Sequence, residues 1–174
     1  MTARKKAVPD TTTSKNVRYW LFKSEPESYS IDHLANDRDQ TTFWDGVRNY
    51  QARNSLRDDV QVEDRVLFYH SNCDPLEIAG TAEVVKAGYA DHTAFDAADQ
   101  HYDPKSDPDS PTWYMVDIRL LQTFPAVVTR QQLQESSGTA GMQVLKRGMR
   151  LSIQTVTPAE WQAVHQLAGV SDLP

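Results

Sequence analysis

The sequence predicts an α+β domain, a small mixed β-barrel decorated by short helices. Three observations carry that expectation. About five runs are rich in β-branched and aromatic residues, with short helical stretches between them. Strands and helices do not alternate regularly, which argues against a doubly wound sheet. No internal repeat appears, and 174 residues suit one domain.

Residues 1–16, MTARKKAVPDTTTSKN, contain four basic residues, three consecutive Thr and almost no large apolar side chain. They read as a disordered tail, which places the folded domain at 17–174. The RKK within the tail reads as a solvated terminus before it reads as a targeting or nucleic-acid signal.

VRYWLFK (17–23) is a strand, stopped by SEPES. YSIDHLAND (29–37) gives one or two helical turns with Ser30 as N-cap. WDG (44–46) is a turn, because Asp-Gly favours positive φ. NYQARNSLRDD (49–59) is a helix capped by Asn49. DRVLFYHS (64–71) and EIAGTAEVVK (77–86) are strands joined by NCDPL. WYMVDIRLLQ (113–122) is partly apolar on both faces, as a central strand would be. TRQQLQE (129–135) and the turn around MQVLKRG (142–148) are short helices, and RLSIQTV (150–156) is a strand. TPAEWQAVHQLAG (157–169) is a helix with Thr157 as N-cap, Pro158 at the first position, Glu160 closing a capping box and Gly169 ending it.

The net charge of −6 and pI of about 5.3 disfavour a protein that grips any duplex through its phosphates. The charge is uneven. Between Asp91 and Asp117 there are seven Asp against the single Lys105, so this segment alone carries −6. The rest is neutral overall and can hold a local basic face. The long acidic span 90–112 has the length of a functional or mobile loop. One cysteine, Cys73, rules out an internal disulfide, and no apolar run approaches the roughly 18 residues of a membrane span. A cytoplasmic protein is expected, or a nuclear one in a eukaryote.

Several chemistries find no support. No GxGxxG, GxxxxGK[ST] or GxSxG occurs. His70-Ser71-Asn72-Cys73 has an H-x-x-C spacing without a second ligand cluster, and its thiol and imidazole would leave a strand end in different directions. Gly138-Thr139-Ala140-Gly141 matches a GxxG clamp only by its two glycines. No metal and no cofactor are expected.

Polar and aromatic residues gather instead at strand ends. WLFKSEP offers Trp20, Lys23, Ser24 and Glu25; WDGVRN offers Trp44, Arg48 and Asn49; FYHSN offers His70, Ser71 and Asn72; RLSIQ offers Arg150, Ser152 and Gln154. If these ends converge they form a concave site with aromatic walls and many donors and acceptors. Flat rings stack planar ligands, Asn reads two atoms of a base edge, and Glu accepts from an exocyclic amino group. Such a pocket suits a base lifted from its stack. Each residue also has a plain structural role open to it: core for Trp20 and Trp44, a helix cap for Asn49, a turn for Glu25.

At these residues the chain resembles the EVE domain family. The matching stretches are YWLFKSEP (19–26), WDGVRNYQARNSL (44–56), DRVLFYHSN (64–72), IAGTAEVV (78–85), YADHTAFD (89–96), YDPKS with WYMVDI (102–118) and RLSIQTVTPAEW (150–161). The resemblance implies a PUA-like mixed β pseudo-barrel of five to six strands with short surrounding helices. It also implies a non-enzymatic reader of a modified base in DNA or RNA, such as 5-methyl- or 5-hydroxymethylcytosine; separately, a monomer without membrane contact is expected. Carried over, its pocket draws on Trp20, Lys23, Ser24, Glu25, Trp44, Val47, Arg48, Asn49, His70, Ser71 and Ser152. Asn49 and Glu25 would read the base edge, and Arg48 and Lys23 would sit near the flanking phosphate or sugar. The competing readings are an enzyme acting on an extruded base, with Glu25 or His70 as acid–base group, and a binder of a free small anion or nucleotide.

Overall fold

A computed structural model describes residues 16–173. The expected tail, apart from Asn16, lies outside the described residues. Six strands form one mixed sheet: β1 Tyr19–Ser24, β2 Thr41–Trp44, β3 Arg65–His70, β4 Glu77–Ala90, β5 Tyr114–Thr129 and β6 Ile153–Val156. Their order is β2-β5-β4-β3-β1-β6. Only β1 and β3 run parallel; every other pair is antiparallel.

The alternation of residues along β1 and β3 explains why these strands are central. Trp20, Phe22, Val66 and Phe68 enter one core, together with Trp44, Val84, Val116 and Ile118. The intervening Leu21, Leu67 and Tyr69 enter a second core with Trp161, Val164 and Leu133. Both faces of the sheet are therefore covered, and a one-residue slip would exchange two apolar sets rather than expose one. Trp20 Nε1 donates to the buried Asp64 carboxylate at 2.9 Å, so the one polar atom of that core tryptophan is satisfied.

Four helices flank the sheet: α1 Ile31–Asn36, α2 Tyr50–Asn54, α3 Arg130–Glu135 and α4 Pro158–Ala168. Their starts follow the expected caps at Ser30, Asn49 and Thr157, the last with Glu160 closing its capping box. Gly169 ends α4 with a left-handed φ of 68°. α2 is shorter than the predicted 49–59 helix because it passes into a π-helical turn over Ser55–Asp59. That turn lies directly on β4, where a Cβ at Gly88 would come 2.5 Å from the Leu56 carbonyl oxygen.

Three features depart from the sequence expectation. β4 and β5 are longer than 77–86 and 113–122, because each continues through an irregular register. Pro125 sits where the pairing jumps from Gly80↔Thr123 to Ile78↔Val128, the kind of bulge that tolerates a residue without an N–H. β2 was not expected at all; it is a four-residue edge strand whose end supplies the WDG turn.

Candidate functional site

The C-terminal ends of β1 and β2 and the segments that follow them enclose a cavity of about 600 Å³. β1 contributes Lys23 and Ser24, with Glu25 just beyond. Ser28 and Tyr29 follow. β2 and its loop contribute Thr42, Phe43, Trp44, Asp45, Gly46, Val47 and Arg48, while Gln100 and His101 come from the acidic loop and Ser152 precedes β6.

One wall is aromatic. Trp44 packs among Phe22, Phe68 and Tyr29 with ring centroids 5.4, 5.3 and 6.4 Å away, and the little surface the core leaves it faces the cavity. Tyr29 also stacks on His33, and its hydroxyl donates to Asp37 at 2.5 Å. Burial, reinforced by the Asp37 hydrogen bond, pushes the phenol far above its usual range, so Tyr29 stays a neutral donor. Phe43 is 46 % exposed at the rim, edge-on to His92.

The polar lining is held from behind. Asp91 has no exposed surface and is the hub. It accepts from Gly46 N at 3.0 Å, from Arg48 Nη1 at 2.7 Å, and from the Thr93 N–H and hydroxyl. Burial alone would raise its pKa; the hydrogen bonds from Arg48, Thr93 and Gly46 outweigh that and hold it below the ordinary carboxylate value. Arg48 also donates to the His101 carbonyl through Nε and Nη2, and its guanidinium lies 5.3 Å from the Trp113 ring. Gly46, at φ 71°, lets the His101 imidazole pack where a Cβ would come within 2.6 Å of it. His101 Nδ1 is 3.2 Å from Asp45 Oδ2.

On the opposite side, Ser24 Oγ donates to the Tyr29 carbonyl at 2.6 Å, and Lys23 Nζ donates to the Met149 carbonyl at 3.1 Å. Burial, with Arg130 nearby, lowers the Lys23 pKa. Glu25 is exposed, and its carboxylate makes no hydrogen bond or ion pair among the described residues.

Of the residues expected at the site, Lys23, Ser24, Glu25, Trp44, Val47, Arg48 and Ser152 line the cavity. The other four lie elsewhere, each for a visible reason. Trp20 belongs to the core and to Asp64. Asn49 is exposed and spends its Oδ1 on the Gln51 and Ala52 amides as the α2 cap. His70 is buried, accepting from the Ile31 amide through Nε2 and meeting Glu77 through Nδ1. The amide of Ser71 donates to the Ser24 carbonyl, extending the β1–β3 ladder instead of lining the cavity.

Arg48 lines the cavity and donates to Asp91 and to the His101 carbonyl, so it braces the loop. The Gly138–Gly141 turn is also remote, with Thr139 fully buried and donating to the Leu133 carbonyl. Cys73 makes a poor nucleophile, since burial and the Glu77 and Asp74 charges push its thiol up. Among the described residues no group of three or more His, Cys, Asp and Glu could hold a metal ion, and no helix is long and apolar enough to cross a membrane.

Sequence reasoning missed Tyr29, Phe43, Asp45 and His101. Phe43 belongs to the unexpected strand, and His101 comes from a loop 53 residues beyond the Arg48 that holds it. That loop, residues 91–113, is long but not loose in the sense its composition suggests. Asp96, Asp99, Asp103 and Asp107 each accept from a backbone amide two residues on, folding it into a chain of tight turns. Asp103 also accepts from Trp113 Nε1 at 2.7 Å, and Asp117 from the Tyr89 hydroxyl.

A six-stranded mixed sheet with short helices and a pocket at the converging strand ends defines a PUA-like domain. The chain belongs to the EVE domain family, whose model matches residues 18–167. Mouse thymocyte nuclear protein 1 is 40 % identical over 178 residues, covering 90 % of this chain and 78 % of the mouse protein. A protein from Leishmania major superposes with a TM-score of 0.83 at 39 % identity, covering 88 % of this chain and 96 % of that one. The human THYN1 protein, solved in complex with 5-methylcytosine-containing DNA, superposes with a TM-score of 0.79 at 39 % identity, covering 89 % and 99 %.

Proposed function

We propose that this chain is a non-enzymatic reader of a modified cytosine, 5-methyl- or 5-hydroxymethylcytosine, extruded from a nucleic-acid strand into the cavity. The observation that carries the reading is the cavity itself. Its 600 Å³ falls in the range of small-ligand sites, and its lining combines the Trp44 and Tyr29 rings with the unpaired carboxylate of Glu25. The relative solved with 5-methylcytosine-containing DNA supports DNA as the carrier. In this reading Glu25 accepts from the exocyclic amino group and Ser24 and Ser152 line the polar edge. Lys23 lines the cavity beside them, and no turnover follows. Asn49, as the α2 cap outside the lining, takes no part in reading the base.

The test is a duplex carrying 5-methylcytosine beside the fluorescent base 2-aminopurine. Extrusion unstacks the neighbour and raises its emission; binding without a rise contradicts extrusion. Nucleoside analysis after long incubation should return the modified base intact. Loss of that base, abolished by Glu25→Gln, would make the protein an enzyme.

A further inference from the structure

Among the described residues, most cations outside the acidic loop have a partner, and one cluster does not. Arg18, Arg38, Arg48, Arg57, Arg65 and Arg119 each face a carboxylate. Arg53 and Arg130 donate to the carbonyls of Thr112 and Leu145, and Lys86 lies over the Tyr89 ring. Lys105 stands among the aspartates of the acidic loop. Lys146, Arg147 and Arg150 are different. All three are exposed, and none has an ion-pair or hydrogen-bond partner for its side chain among the described residues. In a chain of net charge −6, three free cations within five residues are a local inversion of sign.

Their position ties them to the cavity. The turn that carries them is pinned at one end by Arg130, which donates to the Leu145 carbonyl at 3.2 Å. Near the other end Lys23, a lining residue of the cavity, donates to the Met149 carbonyl at 3.1 Å. Two residues beyond Arg150, Ser152 lines the cavity and accepts from the Lys23 amide at 2.9 Å. Within the turn Gly148 has φ 77° and open space around it. The cations therefore stand on a braced turn at one lip. The cavity lining also includes Asp45 and, from the acidic loop, Gln100 and His101. A polyanion reaching the cavity is attracted at this turn and repelled by the acidic loop, which biases its path as well as its affinity.

We propose that the 145–150 turn is the track for the sugar–phosphate strand flanking the extruded base, with Lys146, Arg147 and Arg150 supplying the phosphate contacts. This takes over the role that the sequence suggested for Arg48, whose guanidinium is occupied by Asp91. It rests on the reading of the cavity as a base pocket, and it adds where the strand lies.

The test compares the wild-type chain with a triple Lys146→Gln, Arg147→Gln, Arg150→Gln variant. The probes are a fluorescein-labelled duplex with one 5-methylcytosine, its unmodified twin, and free 5-methyl-2′-deoxycytidine. The variant should keep the wild-type thermal midpoint and its thermal shift with the free nucleoside. It should lose on the order of tenfold or more in affinity for the modified duplex at low salt, and the slope of log affinity against log salt should fall by about 2 to 3. Unchanged affinity and slope, in a wild type that does discriminate the modified duplex, would overturn the track and leave the pocket standing. A wild type that binds both duplexes alike would overturn the pocket reading on which the track rests.

Discussion

Arg48 Nη1 and Asp91 Oδ2 stand 2.7 Å apart, joining the turn after β2 to the start of the acidic loop across 43 residues of sequence. The aspartate side chain is fully enclosed and the arginine side chain only 24 % exposed. Arg48→Ala would strand a buried charge, a change that costs about 3 kcal/mol or more. Chemical denaturation should report that loss. Binding should weaken with it, because the same arginine holds His101 on the cavity wall. A variant of wild-type stability with impaired binding would make Arg48 a ligand contact and not a brace.

Asp91 gives a pH prediction. Its folded-state pKa lies below the ordinary value of 3.8, so its ionised form stabilises the fold. That stabilisation is complete above about pH 4 and is lost as pH falls through the lowered folded value. Asp91→Asn should reduce stability at neutral pH and flatten the acid limb of a stability–pH curve below pH 4. An acid limb of unchanged steepness in the variant would show that other carboxylates govern acid unfolding.

Asn49 separates cap from contact. Its Oδ1 accepts from Gln51 N at 2.9 Å and Ala52 N at 3.0 Å, and its side chain is outside the cavity. Asn49→Ala should cost about 1 kcal/mol of stability and leave oligonucleotide affinity unchanged. Abolished binding at wild-type stability would return Asn49 to the base edge that the sequence suggested for it.

Arg53, in the second Arg-Asn pair of WDGVRNYQARN, should behave as a structural residue. Its guanidinium lies 5.1 Å from the Tyr50 ring, which stacks on Trp113, and it donates to the Thr112 carbonyl and, through Nε, to Asn54. Arg53→Ala should cost about 1 kcal/mol of unfolding free energy with little effect on binding. A binding defect without a stability defect would contradict this.

These residues show what could be read from sequence. Local signals were legible: the caps at Ser30, Asn49 and Thr157, the Gly169 stop, and the strands at VRYWLFK and DRVLFYHS. Convergence of KSEP, WDGVR and Ser152 on one cavity was legible because unusual residues cluster at strand ends. The direction of a side chain at those ends was not. His70 and Ser71 end β3 beside Ser24, yet one turns into the core and the other serves the ladder by its backbone. Long-range partners were equally hidden. Nothing in WDGVRN announces that Arg48 answers to Asp91, and the aspartate-rich loop looked loose because Asx turns and free solvated carboxylates have the same composition.

In this reading the cavity distinguishes a modified base. Titration of two labelled duplexes, identical except for one 5-methyl group, tests it most directly. The account predicts tighter binding to the methylated duplex by on the order of tenfold, the value of one methyl group in an apolar pocket. That ratio should persist as salt is raised while both affinities fall. Equal affinities that fall together with salt would mean phosphate attraction alone, and would contradict the account.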